Sequence, residues 1–428
     1  MTVMNIPVQP LDLVPLLLRS VSNQKICMLL LMNGQLDLQK LGLAMRYLLL
    51  QNPLLACELR IERGVPRWRH RPERARQAAP QLISTLMPEE LMNDYPGTLV
   101  AGKGHTFEVR VFRNDQRDAL GITVDHTAAD AAGCLEIVAQ LGRLYTQMQD
   151  GERFVIGEAH KRPRSLDSVR AQLGRMQCLL SMANPGVFRA RWQFPAGTTG
   201  TVRKPVYLFR HFDARCRGGL RAMSRMHNAT VNDLLLAAMF RALLETLPAG
   251  QARHLPVQFT ADLRRYLPAR QRGRIANLSG SGCVWLDAHR AGSFKTLAEQ
   301  THRAMQRAKE RRAGTGSSFW LELLFAINLK GAGRILQRAF DASRSSGRAN
   351  PLLTNFGMID ESRLTFGSLK PQHACITAPN LLAPGLVVGA SSFRDRLTLS
   401  TGFDANTADP QWVGRVLDRM ISSLESAE

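Results

Sequence analysis

Gly121-Ile-Thr-Val-Asp125-His126-Thr-Ala-Ala-Asp130-Ala-Ala-Gly133 is the stretch from which the fold of this 428-residue chain is read. An apolar run ends, a histidine follows at once, and an aspartate stands four residues later among small side chains. Ala119–Val124 reads as a strand. After Asp130, the residues Leu135, Val138, Leu141, Leu144 and Tyr145 fall on one helical face. His126 therefore sits on a strand-to-helix turn, with room for a ligand beside its ring. Histidine is also the side chain best suited to take a proton near neutral pH. By spacing alone, H-x-x-x-D fits a buried histidine at a strand end equally well. A metal reading with His126 and Asp130 as ligands finds no further His, Cys or Glu cluster to complete it.

Upstream, Ile26–Met32 reads as a buried strand, Asn33-Gly34 as a turn, Leu36–Leu50 as a helix and Leu54–Ile61 as a strand. Thr106–Phe112 alternates apolar and charged residues, as a half-exposed strand does. Residues 151–204 carry ten Lys/Arg against three Asp/Glu, with prolines at 163, 185 and 195. They read as a crossover with a helix around Leu166–Met182, its cations either a solvated face or a docking surface for an acidic partner. Further on, Pro205–Arg210 is a strand and Thr230-Val-Asn-Asp233 a capping box that starts a helix ending near Pro248. Leu255–Ala261 and Val284–Leu286 are strands, and Ser293–Arg312 is a basic amphipathic helix. Leu386–Phe393 and Arg396–Phe403 form a hairpin across Arg394-Asp395, and Asp409-Pro410 caps a last helix. Strands alternating with helices in both halves predict an α/β (α+β) protein rather than a bundle or sandwich.

Composition narrows the function classes. Hydrophobic residues make up 45%, which excludes disorder. The formal net charge is +21, which favours an anionic partner. Aromatics are only 6% and no module places them beside basic residues, so nucleic-acid binding is not expected. The seven cysteines (27, 57, 134, 178, 216, 283 and 375) include no C-x-x-C pair. That pattern excludes a disulfide scaffold and a zinc module and predicts reduced thiols in the cytoplasm. The N-terminal stretch has no cationic leader and meets Asp12 before its apolar run, so it does not read as a signal peptide. No apolar run reaches the ~18–20 residues of a membrane span, although a membrane surface remains compatible with the charge.

The 121–133 window resembles the H-H-x-x-x-D-G motif of the acyltransferase superfamily that includes chloramphenicol acetyltransferase, condensation domains of peptide synthetases, plant alcohol acyltransferases and bacterial wax-ester and diacylglycerol acyltransferases. Three further stretches are similar to that superfamily, in matching order. They are Ala229-Thr-Val-Asn-Asp-Leu-Leu-Leu-Ala-Ala238, Ala261-Asp-Leu-Arg-Arg-Tyr-Leu-Pro268 followed by Asn277-Leu-Ser-Gly280, and Thr354-Asn-Phe-Gly357. The likeness runs from about Leu11 to Leu424 and departs at two motif positions, where Asp125 replaces the first histidine and Ala131 the glycine.

The resemblance implies two chloramphenicol-acetyltransferase-like halves, 1–165 and 204–428, joined by a linker over 166–203. It implies a pseudo-twofold V with an active-site tunnel between them. His126 would be the general base. Asp130 would be structural, paired with Arg264 or else Arg265. Asp125 would either reach the imidazole or face away into another structural pair. Gly133, Asn277, Thr354, Asn355, Gly357 and Ser400 are candidate tunnel or oxyanion contacts, with Ser400 equally readable as a plain strand serine. No permanently bound cofactor or metal is implied. The donor would be an acyl or aminoacyl thioester on coenzyme A or on the phosphopantetheine of an acyl or peptidyl carrier protein, and the acceptor a small amine or alcohol. Arg303, Arg307, Lys309, Arg311 and Arg312 would face the acidic carrier or the phosphates of coenzyme A. Asp125 and Ala131 keep a second reading open, a catalytically silent module that binds a carrier protein or acyl ligand. A third keeps the chemistry but uses a lipid acceptor at an anionic membrane.

Overall fold

Lys25–Met32 is apolar almost without interruption and buried along its whole length. An unalternating run of this kind needs cover on both faces. It lies inside a five-stranded sheet, paired antiparallel with Asp118–Asp125 on one side and with Pro371–Thr377 on the other. Phe107–Arg113 and Gln81–Ser84 complete the sheet beyond Asp118–Asp125, the last pair running parallel. These strands belong to a computed structural model of the protein, which describes residues 6–100, 102–148, 164–182, 190–195, 203–212, 222–248, 252–382 and 384–425.

The chain forms two compact units. The first comprises Met1–Gln172, Arg264–Leu278 and Met358–Pro379, and the second Leu173–Leu263, Ser279–Gly357 and Asn380–Glu428. Arg264–Leu278 and Met358–Pro379, which chain order assigns to the C-terminal half, therefore pack in the first unit. The 166–203 linker is partly a helix, Asp167–Met182, interrupted at Gly174 (φ 74°). Most of its cation-rich remainder lies outside the described residues.

In the first unit, helix Leu38–Gln51 starts at Asp37, whose carboxylate accepts from the N–H groups of Gln39 and Lys40. It packs on helix Ala131–Gln147, which buries Cys134, Ile137, Val138, Leu141, Leu144 and Tyr145. Leu135, expected on that face, is only half-buried at its flank. Leu54–Ile61 resolves into a 3₁₀ turn, Pro53–Ala56, and a strand, Cys57–Glu62, because Pro53 opens a turn where an unbroken strand was expected.

The second unit holds a six-stranded sheet in the order Ser279–Asp287, His254–Asp262, Leu352–Ile359, Val387–Phe393, Arg396–Asp404, Pro205–Phe212. Helix Val231–Thr246 opens with the capping box read from the sequence. Thr230 Oγ1 accepts from the Asp233 N–H at 3.3 Å, and the Asp233 carboxylate accepts from the Thr230 N–H at 2.9 Å. The helix packs on Phe294–Glu310 and on Pro410–Glu425, with Phe240 meeting Trp192 edge-on at 5.5 Å. Burying side chains of this size contributes about 1.5–3 kcal/mol each. Helix Thr315–Ser346, broken at Asn328, has no counterpart in the sequence reading. Among the described residues, no helix is long and apolar enough to cross a membrane.

Gly280 fixes how that long helix begins. A Cβ at Gly280 would lie 2.0 Å from the carbonyl oxygen of Gly314, the cap residue, which itself has φ +86°. Gly280→Ala should therefore destabilise the protein by about 1–3 kcal/mol. Gly292→Ala, with nothing within 4 Å of the added methyl, should be close to neutral. Urea titrations followed by circular dichroism compare the two, and equal midpoints would refute the close approach.

Candidate active site

The strand Asp118–Asp125 delivers His126 to the turn that precedes helix Ala131–Gln147. The turn is held by backbone bonds: the His126 N–H donates to Gln24 O at 2.9 Å, and Ala128 N–H to Asp125 O at 2.9 Å. Every residue from Gly121 to Asp130 is buried except His126, which is half-buried. Its Nδ1 lies 3.2 Å from Asn277 Oδ1. Among the described residues, Asn277 is the only hydrogen-bond partner of the ring.

Asp130 begins the helix. Its Oδ1 accepts from the Gly133 N–H at 2.9 Å. Its Oδ2 accepts from the Leu278 N–H at 2.7 Å and from Arg264 Nη1 at 2.8 Å. Arg264 is itself buried and also donates to the carbonyls of Arg274 and Ala276, at 3.0 and 2.8 Å. Arg265, the other candidate partner, is exposed. Burial pushes the Asp130 carboxyl up. The Arg264 guanidinium and the two N–H donors outweigh it and hold the carboxyl below the usual carboxylate range. Asp130 is thus spent on structure.

Asp125 faces away from the imidazole. Its carboxylate accepts from Lys25 Nζ at 3.0 Å and Arg19 Nη2 at 3.5 Å, and from the N–H and hydroxyl of Thr127 at 3.0 and 2.6 Å. Burial again raises its pKa, and the two cations with Thr127 bring it below the usual range.

Asn277, a candidate tunnel or oxyanion contact by sequence, is buried and fully engaged. Besides meeting His126, its Nδ2 donates to Asp12 Oδ1 at 3.1 Å and to Thr127 O at 3.0 Å. Asp12 and Arg164 are the site residues that sequence reasoning missed. Asp12 is completely buried, and Arg164 grips both its carboxylate oxygens at 3.0 and 2.9 Å. Arg164 also donates to Ala128 O at 3.0 Å, on the His126 turn. The one local signal was a lone acid in the apolar run at 11–18.

Gly133 gives its N–H to Asp130, and its Cα faces a wall. A Cβ there would stand 2.8 Å from Ala129 Cβ and 3.3 Å from Ala276 O. The structure thus gathers His126, Asp125, Asp130, Gly133, Arg264 and Asn277 in the first unit. Thr354, Asn355, Gly357 and Ser400 belong to the second. There Thr260 Oγ1 donates to Thr354 Oγ1 at 2.9 Å, and Asn355 Oδ1 accepts from the Gly357 N–H at 2.9 Å, stabilising a residue at φ 74°. Ser400 is buried on a strand, opposite Gly389 and Phe209. In the basic helix, Arg303, Arg307, Arg311 and Arg312 are exposed and Lys309 is half-buried.

Burial pushes the Cys27, Cys57 and Cys375 thiols up to about 12. Among the described residues, no group of three His, Cys, Asp or Glu is placed to hold a metal ion.

Both carboxyls beside the turn are held low, so their stabilisation is complete above about pH 4, where the unfolded chain is ionised. It is lost as the pH falls through their folded values, and the protein should lose stability steeply below pH 4. Arg264→Ala leaves the buried Asp130 carboxylate with two N–H donors but no cation and should cost about 3–5 kcal/mol. The part of the acid-side loss carried by Asp130 should then shrink, because the largest cause holding its carboxyl low is gone. Urea midpoints measured from pH 3 to 7 test this. An Arg264→Ala protein as stable as the parent throughout would contradict it.

No family model matches the chain, and no curated protein matches it significantly in sequence. Solved structures do match over nearly its whole length. A trichothecene 15-O-acetyltransferase from Fusarium sporotrichioides is 16% identical, with 99% of this chain and 94% of that one covered and a TM-score of 0.74. The first condensation domain of the calcium-dependent antibiotic synthetase is 14% identical, with 100% and 97% covered and a TM-score of 0.74. The polyketide synthase associated protein 5 of Mycobacterium tuberculosis is 14% identical, with 98% of each chain covered and a TM-score of 0.69. The chain therefore has the mixed α/β fold shared by condensation domains and the acetyltransferases built like them.

Proposed function

We propose that the protein is an acyltransferase that moves an acyl or aminoacyl group from a pantetheine thioester to a small amine or alcohol, with His126 as general base. The observation that carries this reading is the imidazole itself. It is half-exposed on a turn whose other residues are buried, and neither neighbouring aspartate is turned toward it.

The imidazole takes the proton of the acceptor N–H or O–H as its nitrogen or oxygen attacks the thioester carbonyl carbon. The tetrahedral intermediate collapses with cleavage of the C–S bond. The imidazolium returns the proton to the departing thiolate, so the products are an amide or ester and a free thiol. Holding thioester and acceptor together supplies the rest of the acceleration. Asp125, set against Lys25 and Arg19, does not compete for the ring, which weighs against the silent-module reading.

Coenzyme A and a carrier protein present the same arm. The exposed cations of helix Phe294–Glu310 and the two arginines after it, Arg311 and Arg312, suit the acidic surface or phosphates that accompany either. The free thiols support a cytoplasmic setting.

His126→Ala should lower thiol release from acyl-pantetheine, across a panel of amines and alcohols, by at least about a hundredfold. Its circular dichroism spectrum and urea midpoint should stay near those of the parent. Turnover equal to the parent would refute the base assignment. Acyl-pantetheine binding without turnover by the parent across the panel would favour the silent module.

A further inference from the structure

We infer that Asn277, held by Asp12 and the Thr127 carbonyl, is the positioning residue that fixes the tautomer of His126 and leaves Nε2 as the basic nitrogen. The inference rests on the proposed function for its kinetic meaning. The tautomer itself is a property of the resting protein.

The far end of the network is a charge pair. Asp12 is completely buried, and its carboxylate accepts two bonds from Arg164 and one from the Gln9 N–H at 3.0 Å. A carboxylate only accepts, so the Asn277 atom 3.1 Å from Asp12 Oδ1 is a donor and must be Nδ2. The same atom meets a second acceptor, Thr127 O, at 3.0 Å. Turning the amide over would set its oxygen against a carboxylate and a carbonyl and leave both without this donor. Two acceptors on one side thus settle which way the amide points.

The other end of the amide is then an oxygen, and it lies 3.2 Å from His126 Nδ1. A lone pair cannot face a lone pair, so Nδ1 carries the hydrogen and donates. In the neutral ring the lone pair resides on Nε2, which has no hydrogen-bond partner among the described residues. When Nε2 accepts a proton, the Nδ1–H bond remains and strengthens, because its donor becomes charged.

Asp12 acts through the amide. By accepting from Nδ2 it polarises Asn277 and makes Oδ1 a better acceptor. The ring therefore meets a neutral group backed by a charge, and no carboxylate touches it. Charged groups on the elements that carry this network include Asp125 with Lys25 and Arg19, Asp130 with Arg264, Arg164 with Asp12, and the buried Arg274. Among the described residues, none of them hydrogen-bonds or ion-pairs with the imidazole.

Long-range ¹H–¹⁵N correlation spectra of the ¹⁵N-labelled full chain read the tautomer directly. Comparison with His126→Ala assigns the ring among the ten histidines. The neutral ring should show protonated Nδ1 and unprotonated Nε2. A spectrum dominated by the Nε2–H form would overturn the inference, whether or not any acyl transfer is detected.

Kinetics supply a second readout. Asn277→Ala should lower kcat about tenfold to a hundredfold with little change in KM, and its ring should relax to a mixture of tautomers. Asn277→Asp puts a carboxylate where the amide oxygen was. It should move the acid limb of the pH–kcat/KM profile upward by about one pH unit or more. Parental kcat and an unmoved profile in both variants would overturn the positioning role. Should a variant fail to fold, the parental spectrum still decides the tautomer.

Discussion

A buried carboxylate must be answered, and at Asp130 the answer is Arg264. That pair ties the start of helix Ala131–Gln147 to the Arg264–Leu278 stretch, 134 residues away in sequence. The same stretch brings Asn277 to the ring and Ala276 against Gly133. Desolvating two charges gains little net stability over an apolar packing of the same volume. The pair does impose register: Arg264 has one carboxylate and two carbonyls within reach, and satisfying all three fixes where 274–278 run. The imidazole environment follows from that placement.

The acids near His126 are handled alike. Asp12, Asp125 and Asp130 are all buried, and each is taken by cations set away from the ring. Charge is abundant within the turn, yet what reaches the ring is an amide. A base gripped directly by a carboxylate would hold its proton more tightly. A base with no support would rotate and change tautomer. Here the ring is met by a neutral amide that is itself anchored to Asp12.

The legible part of the fold was the part written locally. The strand Lys25–Met32, the capping box at Thr230 and the hairpin across Arg394-Asp395 each carry their pattern within a few residues. The His126–Asp130 spacing also stood out, and the arginine cluster at 264–265 offered Asp130 a partner. Asp12 with Arg164 did not stand out, because an ion pair spanning 152 residues leaves no periodicity in either segment. Asn277 was noticed within a motif, but the claim on its amide comes from distant Asp12 and from the Thr127 carbonyl. Pro371–Thr377 was unread for a related reason: its partner strand lies about 340 residues earlier, and no turn announces the pairing. Helix Thr315–Ser346 is interrupted at Asn328, which masks its period.

The first unit is stitched from three separated lengths of chain, and this orders events during synthesis. While the ribosome has released only the first 172 residues, the sheet lacks the strand that flanks Lys25–Met32, and Asp130 and Asp12 lack the contacts supplied from 264–278. The imidazole can meet Asn277 only after residues 264–278 have emerged, and the sheet gains its last strand only once Pro371–Thr377 follows. Until then, the nascent polypeptide carries an open apolar sheet edge, the kind of surface that chaperones cover.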